Sequence, residues 1–176
     1  DTFMDIATEK DLAIPYVYDS VVGTSWSGLF FDVDFDGDQD LYISKGNVAT
    51  LVPPAAISDA NRLFINENGN FKDTTLSSGV NDILSHRGAV IFDFDRDGDL
   101  DIISSVVKLP WAAFAGKEQK IKAYRNETKV GNYIGIKLEG KNPFNRSAIG
   151  ARVILYQDGK KTIREVDGAS GHASQS

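Results

Sequence analysis

Two short loops of the chain concentrate carboxylate groups. Of the 25 acidic residues in the 176-residue sequence, ten lie in two stretches of nine residues, and each stretch reads Asp-x-Asp-x-Asp-Gly-Asp-x-Asp. Alternate carboxylates on a tightly turning loop can converge on one hard cation, and glycine at the sixth position permits the sharp turn. The predicted metal ligands are Asp32, Asp34, Asp36, Asp38 and Asp40 in loop 1 (residues 32–40), and Asp93, Asp95, Asp97, Asp99 and Asp101 in loop 2 (residues 93–101).

An all-oxygen ligand set favours Ca²⁺ over zinc or copper, so we predict one calcium ion in each loop. Position seven of such loops supplies mainly its backbone carbonyl, which predicts that Asp38 and Asp99 contribute less through their side chains than the other eight aspartates. Without a metal, carboxylates roughly 6 Å apart would repel by about 2–3 kcal/mol per pair. The alternative is an acidic turn that binds no metal.

The residues around the loops distinguish them from an EF-hand. An EF-hand has a glutamate at position twelve and a helix on each side, but position twelve is Ile43 in loop 1 and Ser104 in loop 2. The flanking segments are apolar and β-like, for example Leu29-Phe30-Phe31 before loop 1 and Val90-Ile91-Phe92 before loop 2. We therefore expect each loop to be a calcium-binding turn between two strands.

Composition and charge exclude several classes of protein. Hydrophobic residues make up 41% of the chain, which is enough for a folded core, and the longest apolar runs are too short to span a membrane. The net charge of −6 argues against nucleic acid as a partner, and removing the ten loop aspartates leaves +4. The absence of cysteine excludes disulfides, zinc-thiolate sites and a cysteine nucleophile.

Three pairs of similar segments, which we call sequence echoes, indicate a repeat. The two loops begin 61 residues apart; Phe3-Met-Asp5 returns as Phe71-Lys-Asp73; and Phe64-Ile-Asn66-Glu67 returns as Tyr124-Arg-Asn126-Glu127. Asn68-Gly69 between apolar segments is a strong hairpin signal. Several short strands repeated at this period predict an all-β fold built from propeller blades.

The runs Asn61–Thr74 and Gly88–Ile102 resemble FG-GAP or VCBS-type repeats, and the resemblance covers residues 1–128. It implies a partial β-propeller of two to three blades with Ca²⁺ in the Asp-rich loops. A closed propeller needs at least four blades. We therefore expect the open strand edges to be covered by further blades of a longer protein, by other protein chains, or by self-assembly.

The C-terminal segment, residues 129–176, differs from the repeats. Tyr133–Leu138 alternates as a strand, and Asp158-Gly159 predicts a hairpin between residues 151–156 and 161–166. The motifs from Leu138 to Ser176 resemble the ASPIC/UnbV domain, which commonly follows VCBS-type repeats and usually extends beyond the point where this chain stops. This resemblance implies a small, truncated β-domain and carries no defined activity.

The remaining candidate residues have structural interpretations. Neither His86 nor His172 lies in a metal or nucleophile motif, and Trp26, Phe30 and Phe31 are expected in the blade core. Trp111 falls in an apolar insertion between repeats and is expected either to pack over a blade or to serve at the surface. Asn126 and Asn145 begin glycosylation sequons.

These observations favour a non-enzymatic, extracytoplasmic, calcium-stabilised repeat protein, extracellular or periplasmic, that acts in adhesion, surface display or assembly. The alternative is the non-catalytic or substrate-binding part of an exported enzyme that acts on carbohydrate or another polymer. A third hypothesis is assembly of the chain into a fibre or sheath through unpaired strand edges.

Overall fold

A computed structural model describes residues 2–13, 24–46, 60–107, 120–128, 133–157 and 159–168. Within these ranges the fold is nearly all β, as the sequence predicts, with one short helix and nine strands. No helix in the described ranges is long and apolar enough to cross a membrane. The elements are β1 (Ser25–Phe31), β2 (Asp40–Lys45), β3 (Arg62–Glu67), β4 (Asn70–Asp73), α1 (Thr75–Ser78), β5 (His86–Phe92), β6 (Asp101–Val106), β7 (Lys122–Tyr124), β8 (Arg152–Gln157) and β9 (Lys160–Glu165).

The strands form three antiparallel sheets. The first has the order β1-β2-β3-β4, which is the meander of a propeller blade, and the second has the order β5-β6-β7. Both sheets shift register near the start of their first strand. The two sheets therefore repeat one unit, and we refer to them as blade 1 and blade 2. The third sheet is the β8–β9 hairpin.

Strand alternation decides which residues of β1 enter the core. Leu29 and Phe31 are buried, whereas the Phe30 side chain between them points outward and is 57% exposed. Trp26, on the same outward face, is only half-buried and lies under the Arg87 guanidinium, 4.3 Å from its ring centroid. The expectation of a core position was therefore right for Phe31 and wrong for Phe30, while Trp26 contacts blade 2 from the edge of the core.

One apolar core joins the two blades. Leu29, Tyr42 and Leu63 from blade 1 belong to the same buried cluster as Ala89 and Ile102 from blade 2. A cluster that spans both sheets lets each blade bury a face that it could not bury alone. The two repeats therefore depend on each other for their stability.

Polar contacts also cross between the blades. The buried Asn61 accepts the Lys45 N–H at 3.0 Å and lies 3.4 Å from the Tyr124 hydroxyl of β7. The Ser44 hydroxyl donates to the Arg87 carbonyl, and the Arg87 guanidinium donates to the Gly46 carbonyl at 3.1 Å. The end of β2 is thereby held against the start of β5.

The turns confirm one of the sequence echoes and two hairpins. Asn68-Gly69 joins β3 to β4 with positive φ at both residues. Asp73 accepts the backbone N–H two residues further on at 2.9 Å, and Asp5 makes the equivalent bond at 3.0 Å. The hairpin predicted around Asp158-Gly159 is also present, with Gly159 at φ 78°.

The predicted strand over Tyr133–Leu138 was wrong. These residues are described but pair with no described strand, and several of their apolar side chains are exposed. Alternation indicates a face that could be buried, but a strand also needs a neighbour for its backbone groups. Trp111 and His172 lie outside the described residues.

The close approach of Gly46 to blade 2 gives a test of this packing. A Cβ at Gly46 would lie 2.8 Å from the His86 N and Ser85 Cα atoms, which belong to the backbone and cannot move independently. We expect Gly46→Ala to lower the free energy of unfolding by roughly 1–3 kcal/mol. In Gly28→Ala the nearest atom, Leu41 Cδ1, would be 3.9 Å away, so this control should be close to neutral. Denaturant unfolding of both variants checks this, and equal losses would contradict it.

Candidate metal centres

Each acidic loop connects two paired strands at their ends. Loop 1 joins β1 to β2 and loop 2 joins β5 to β6, as predicted for turns between strands. Phe31 is the register partner of Asp40, and Phe92 is the partner of Asp101. Each loop thus leaves one strand and enters the next at directly opposed positions, which fixes its two ends.

The backbones of the two loops have the same conformation. The sixth-position glycines, Gly37 and Gly98, have φ of 99° and 102°, a region that favours glycine. In each loop the N–H of this glycine donates to the first aspartate at 3.1 Å, which closes the turn. The fourth residues, Phe35 and Arg96, also have matching positive φ values of 61° and 66°.

The ninth-position aspartates hold the loops in place. Asp40 is fully buried and accepts the Val33 N–H at 2.7 Å with one oxygen and the Asn66 N–H at 2.8 Å with the other. Burial raises its pKa to about 6, although these two hydrogen bonds oppose the shift. The carboxylate therefore ties the start of loop 1 to the end of β3.

Asp101 does the same in blade 2. It is 1% exposed, and it accepts the N–H of Phe94 at 3.0 Å and that of Asn126 at 2.9 Å. Asn66 and Asn126 are the asparagines of the third sequence echo, 60 residues apart. Their role in positioning the loops was not anticipated, although the echo was a signal that could have revealed it.

Three carboxylates converge in each loop, from the first, third and ninth positions. Asp32, Asp34 and Asp40 each offer an oxygen, and these oxygens lie within 4.8 Å of one another. Asp93, Asp95 and Asp101 form the equivalent group in loop 2.

The aspartates at the fifth and seventh positions are not in these groups. Asp36 is exposed, and its carboxylate accepts the Asp38 N–H at 2.8 Å. The Asp38 carboxylate accepts the Asn68 N–H of the β3–β4 turn at 3.0 Å. Asp97 likewise accepts the N–H of Asp99, at 3.2 Å. That Asp36 and Asp97 ligate through their side chains stays a prediction, as does the contribution of the Asp38 and Asp99 backbone carbonyls.

The donor set fits Ca²⁺, because it is made of oxygen and part of it lacks a partner. Asp32 Oδ1, from the converging group of loop 1, is a buried atom without a hydrogen bond. The Asp99 Oδ1 atom, which lies outside the converging group of loop 2, is also buried without one. Burial raises the pKa of Asp99 to about 6, helped by the neighbouring Asp97, and burial also raises the pKa of Asp32. Repulsion from neighbouring aspartates adds to the effect of burial in both cases, and a cation bound nearby would favour the charged carboxylates and oppose these shifts.

An arginine contacts each group of carboxylates. Arg125, just after β7, has Nη1 3.7 Å from Asp95 Oδ2 and also pairs with Glu127. Arg164, on β9, has Nη2 3.1 Å from Asp32 Oδ2. Neither arginine was predicted from sequence.

A histidine, a serine and an aspartate also meet between the blades. His86 Nδ1 lies 2.8 Å from Ser104 Oγ, and Nε2 lies 3.6 Å from an Asp82 oxygen, which is too long for a hydrogen bond. Burial lowers the pKa of His86, although Asp82 opposes the shift. Because His86 and Ser104 are fully buried, a substrate could not reach them in this arrangement. The trio contributes to packing between the blades.

Two family models match the chain. The model of the FG-GAP-like repeat matches residues 48–104, a range that includes loop 2, and the model of ASPIC and UnbV matches residues 141–176. No solved structure matches the chain.

The similar curated proteins carry one name. Cartilage acidic protein 1 of Homo sapiens is 31% identical over 183 residues, covering 97% of this chain and 23% of the relative. The protein of the same name from Xenopus tropicalis is 31% identical over 181 residues (97% of this chain, 24% of the relative), and that of Mus musculus is 33% identical over 152 residues (79% and 20%). The chain thus spans about a quarter of the length of these relatives. It carries an FG-GAP-like repeat and an ASPIC and UnbV segment, the combination that its sequence predicted, on a nearly all-β, propeller-like fold.

Proposed function

We propose that this chain is a calcium-stabilised repeat module of an extracellular protein, and that it acts without catalysis in adhesion, surface display or assembly. The observation that carries the proposal is the equivalence of the two loops. Each brings three carboxylates to within 4.8 Å, at the same positions and on the same backbone conformation. Such a group of like charges is unfavourable until a cation joins it.

The proposed role of the metal is structural. Asp32, Asp34 and Asp40 would hold an ion in loop 1, and their counterparts at positions 93, 95 and 101 would hold one in loop 2. In each case the ion would join the end of one strand to the start of the next. Because this arrangement does not exist in the unfolded chain, the binding free energy becomes folding free energy.

The extracellular location and the interaction role rest on the comparisons. The relatives are named after cartilage and after their acidity, and two of them match 97% of this chain. Calcium sites with the affinity expected of extracellular modules, roughly 10⁻⁴ to 10⁻³ M, fill only where calcium is abundant, as it is outside cells. Both points support a module that folds and works in the extracellular medium.

The alternative, a substrate-binding part of an exported enzyme, is not favoured by any observation on the described residues. A cavity of about 450 Å³ lies between the blades, where Val33, Ile102 and Asn126 are among its lining residues. Two of these residues already serve the fold, because the Asn126 amide donates to the Val33 carbonyl at 2.8 Å.

The first prediction of this proposal concerns thermal stability. A site with a Kd of about 10⁻⁴ M in about 1 mM calcium adds roughly 1.4 kcal/mol, and two such sites add about 3 kcal/mol. We therefore expect the melting temperature to rise by several degrees or more when calcium replaces a chelator. Calorimetric melting in EGTA and in calcium measures this, with magnesium at the same ionic strength as a control. A melting temperature that is the same in chelator and in calcium would contradict the proposal.

The second prediction separates ligands from supporting residues in loop 1. Asp34→Ala removes a carboxylate from the converging group, so calcium affinity at this loop should fall at least about tenfold, by the charge-count argument for such sites. Asp38→Ala removes the same charge from a side chain that instead bonds to Asn68, and it should cost less. Asp36→Ala determines whether the fifth position ligates. Calcium titration by calorimetry compares the three, and equal losses would contradict the assigned roles.

We also propose that strand edges and exposed apolar side chains are covered by further blades or by other chains. Among the described strands, β4 and β7 pair on one side only, and Phe3 and Phe30 are 106% and 57% exposed. The isolated 176-residue chain in millimolar calcium should therefore associate. Size-exclusion chromatography with light scattering tests this, and a monodisperse monomer with protected edge amides would show that the edges need no partner.

A further inference from the structure

The C-terminal hairpin makes a polar contact with loop 1 that joins distant parts of the sequence. Arg164 Nη2 of β9 donates to Asp32 Oδ2 at 3.1 Å and to the Gly37 carbonyl at 3.4 Å. Asp32 is only 17% exposed and Arg164 is 39% exposed, so the pair is partly shielded from water. The guanidinium therefore binds one of the three carboxylates that converge in loop 1.

A second contact brings the C-terminal segment to loop 2. The ring of Tyr133 packs directly on Gly98, where an added Cβ would overlap the ring atoms. The equivalent glycine of loop 1, Gly37, has nothing within 4 Å of such a Cβ. The C-terminal segment thus touches both acidic loops, one through a cation and the other through an aromatic ring.

We propose that calcium in loop 1 and docking of the β8–β9 hairpin oppose each other through Arg164, so that the hairpin is docked at low calcium and released as loop 1 fills. This inference rests on the proposed calcium binding and goes beyond it, because it assigns to the metal an effect on the C-terminal segment.

The direction of the coupling follows from charge. Asp32 Oδ2 already accepts hydrogen bonds from Gly37 N and from Arg164, while Oδ1 is buried without a partner. The carboxylate can therefore hold the guanidinium on one oxygen and an ion on the other. The two cations would then lie on one carboxylate and repel each other. Because coupling between two binding events is reciprocal, the arginine weakens calcium binding by the same factor by which calcium weakens docking.

Loop 2 has a different connection. Its arginine, Arg125, follows β7 of the same blade and is not part of the β8–β9 hairpin. An ion bound in loop 2 would therefore compete with Arg125 and not with a residue of the hairpin. Release of the hairpin should therefore follow occupancy of loop 1 alone.

Calcium titration of the complete 176-residue chain tests the coupling. Arg164→Gln should bind one of its two calcium ions about tenfold more tightly than the unsubstituted chain, a typical size for such couplings, and leave the other unchanged. Arg152→Gln is the matched control, because it removes the same charge from the same hairpin but pairs with Glu165 at 3.0 Å rather than with a loop. It should leave both affinities unchanged.

A distance measurement tests docking without relying on affinity. The chain has no cysteine, so Lys72→Cys on β4 and Lys160→Cys on β9, both exposed, can carry a pair of spin labels. Electron paramagnetic resonance should give a narrow distance distribution without calcium and a broad one in saturating calcium. Adding Arg164→Gln should broaden the distribution even in chelator, whereas adding Arg152→Gln should not.

The outcomes separate this inference from the proposal beneath it. An unsubstituted chain that binds no calcium would overturn the proposed function, and the coupling with it. If the chain binds two calcium ions and Arg164→Gln leaves both affinities unchanged or weakens either of them, the coupling is overturned and the proposed function is not. A distance distribution that stays narrow in the Arg164→Gln variant would show that this contact does not hold the hairpin.

Discussion

The buried carboxylate at the ninth position of each loop is the interaction on which the rest of the site depends. Asp40 receives one backbone N–H from the start of its own loop and one from the strand that follows it in the sheet. Leaving a buried donor such as the Val33 N–H unpaired would cost roughly 1–3 kcal/mol. The side chain also offers an oxygen to the converging group. One residue thus fixes the loop to the blade and places a charge where the cation is proposed to bind.

Because this aspartate both holds the loop on the blade and faces the proposed ion, the acidic loops are part of the blade structure and not separate insertions. A carboxylate that is fully buried and held by two N–H groups cannot swing away from its neighbours to relieve repulsion. The pKa of Asp40 is raised mainly by burial and, to a smaller extent, by repulsion from Asp34 and Asp32. A cation would relieve it without breaking either hydrogen bond, since each carboxylate oxygen can accept more than one partner.

Sequence reasoning predicted those features whose cause is local. The Asp-x-Asp-x-Asp-Gly spacing, the strands on either side and the Asn68-Gly69 turn all follow from the conformational preferences of a few adjacent residues. It failed where the cause lies elsewhere in the chain. Tyr133–Leu138 has the alternation of a strand but no partner among the described strands, and Phe30 lies on the outer face because its neighbours Leu29 and Phe31 are the ones that pack inward.

The same distinction explains why the two loops have different surroundings although their sequences and backbone conformations nearly match. Duplication copies what a repeat encodes within itself, so the glycine turn, the buried ninth aspartate and the asparagine that binds it recur in blade 2. It does not copy the contacts that a repeat receives from outside. Loop 1 meets Arg164 from a hairpin 132 residues further along the chain, whereas loop 2 meets Tyr133 and an arginine of its own blade. Two copies of one acidic motif would thus bind the proposed ion with different affinities, because the surrounding fold, and not the motif, supplies the neighbouring charge.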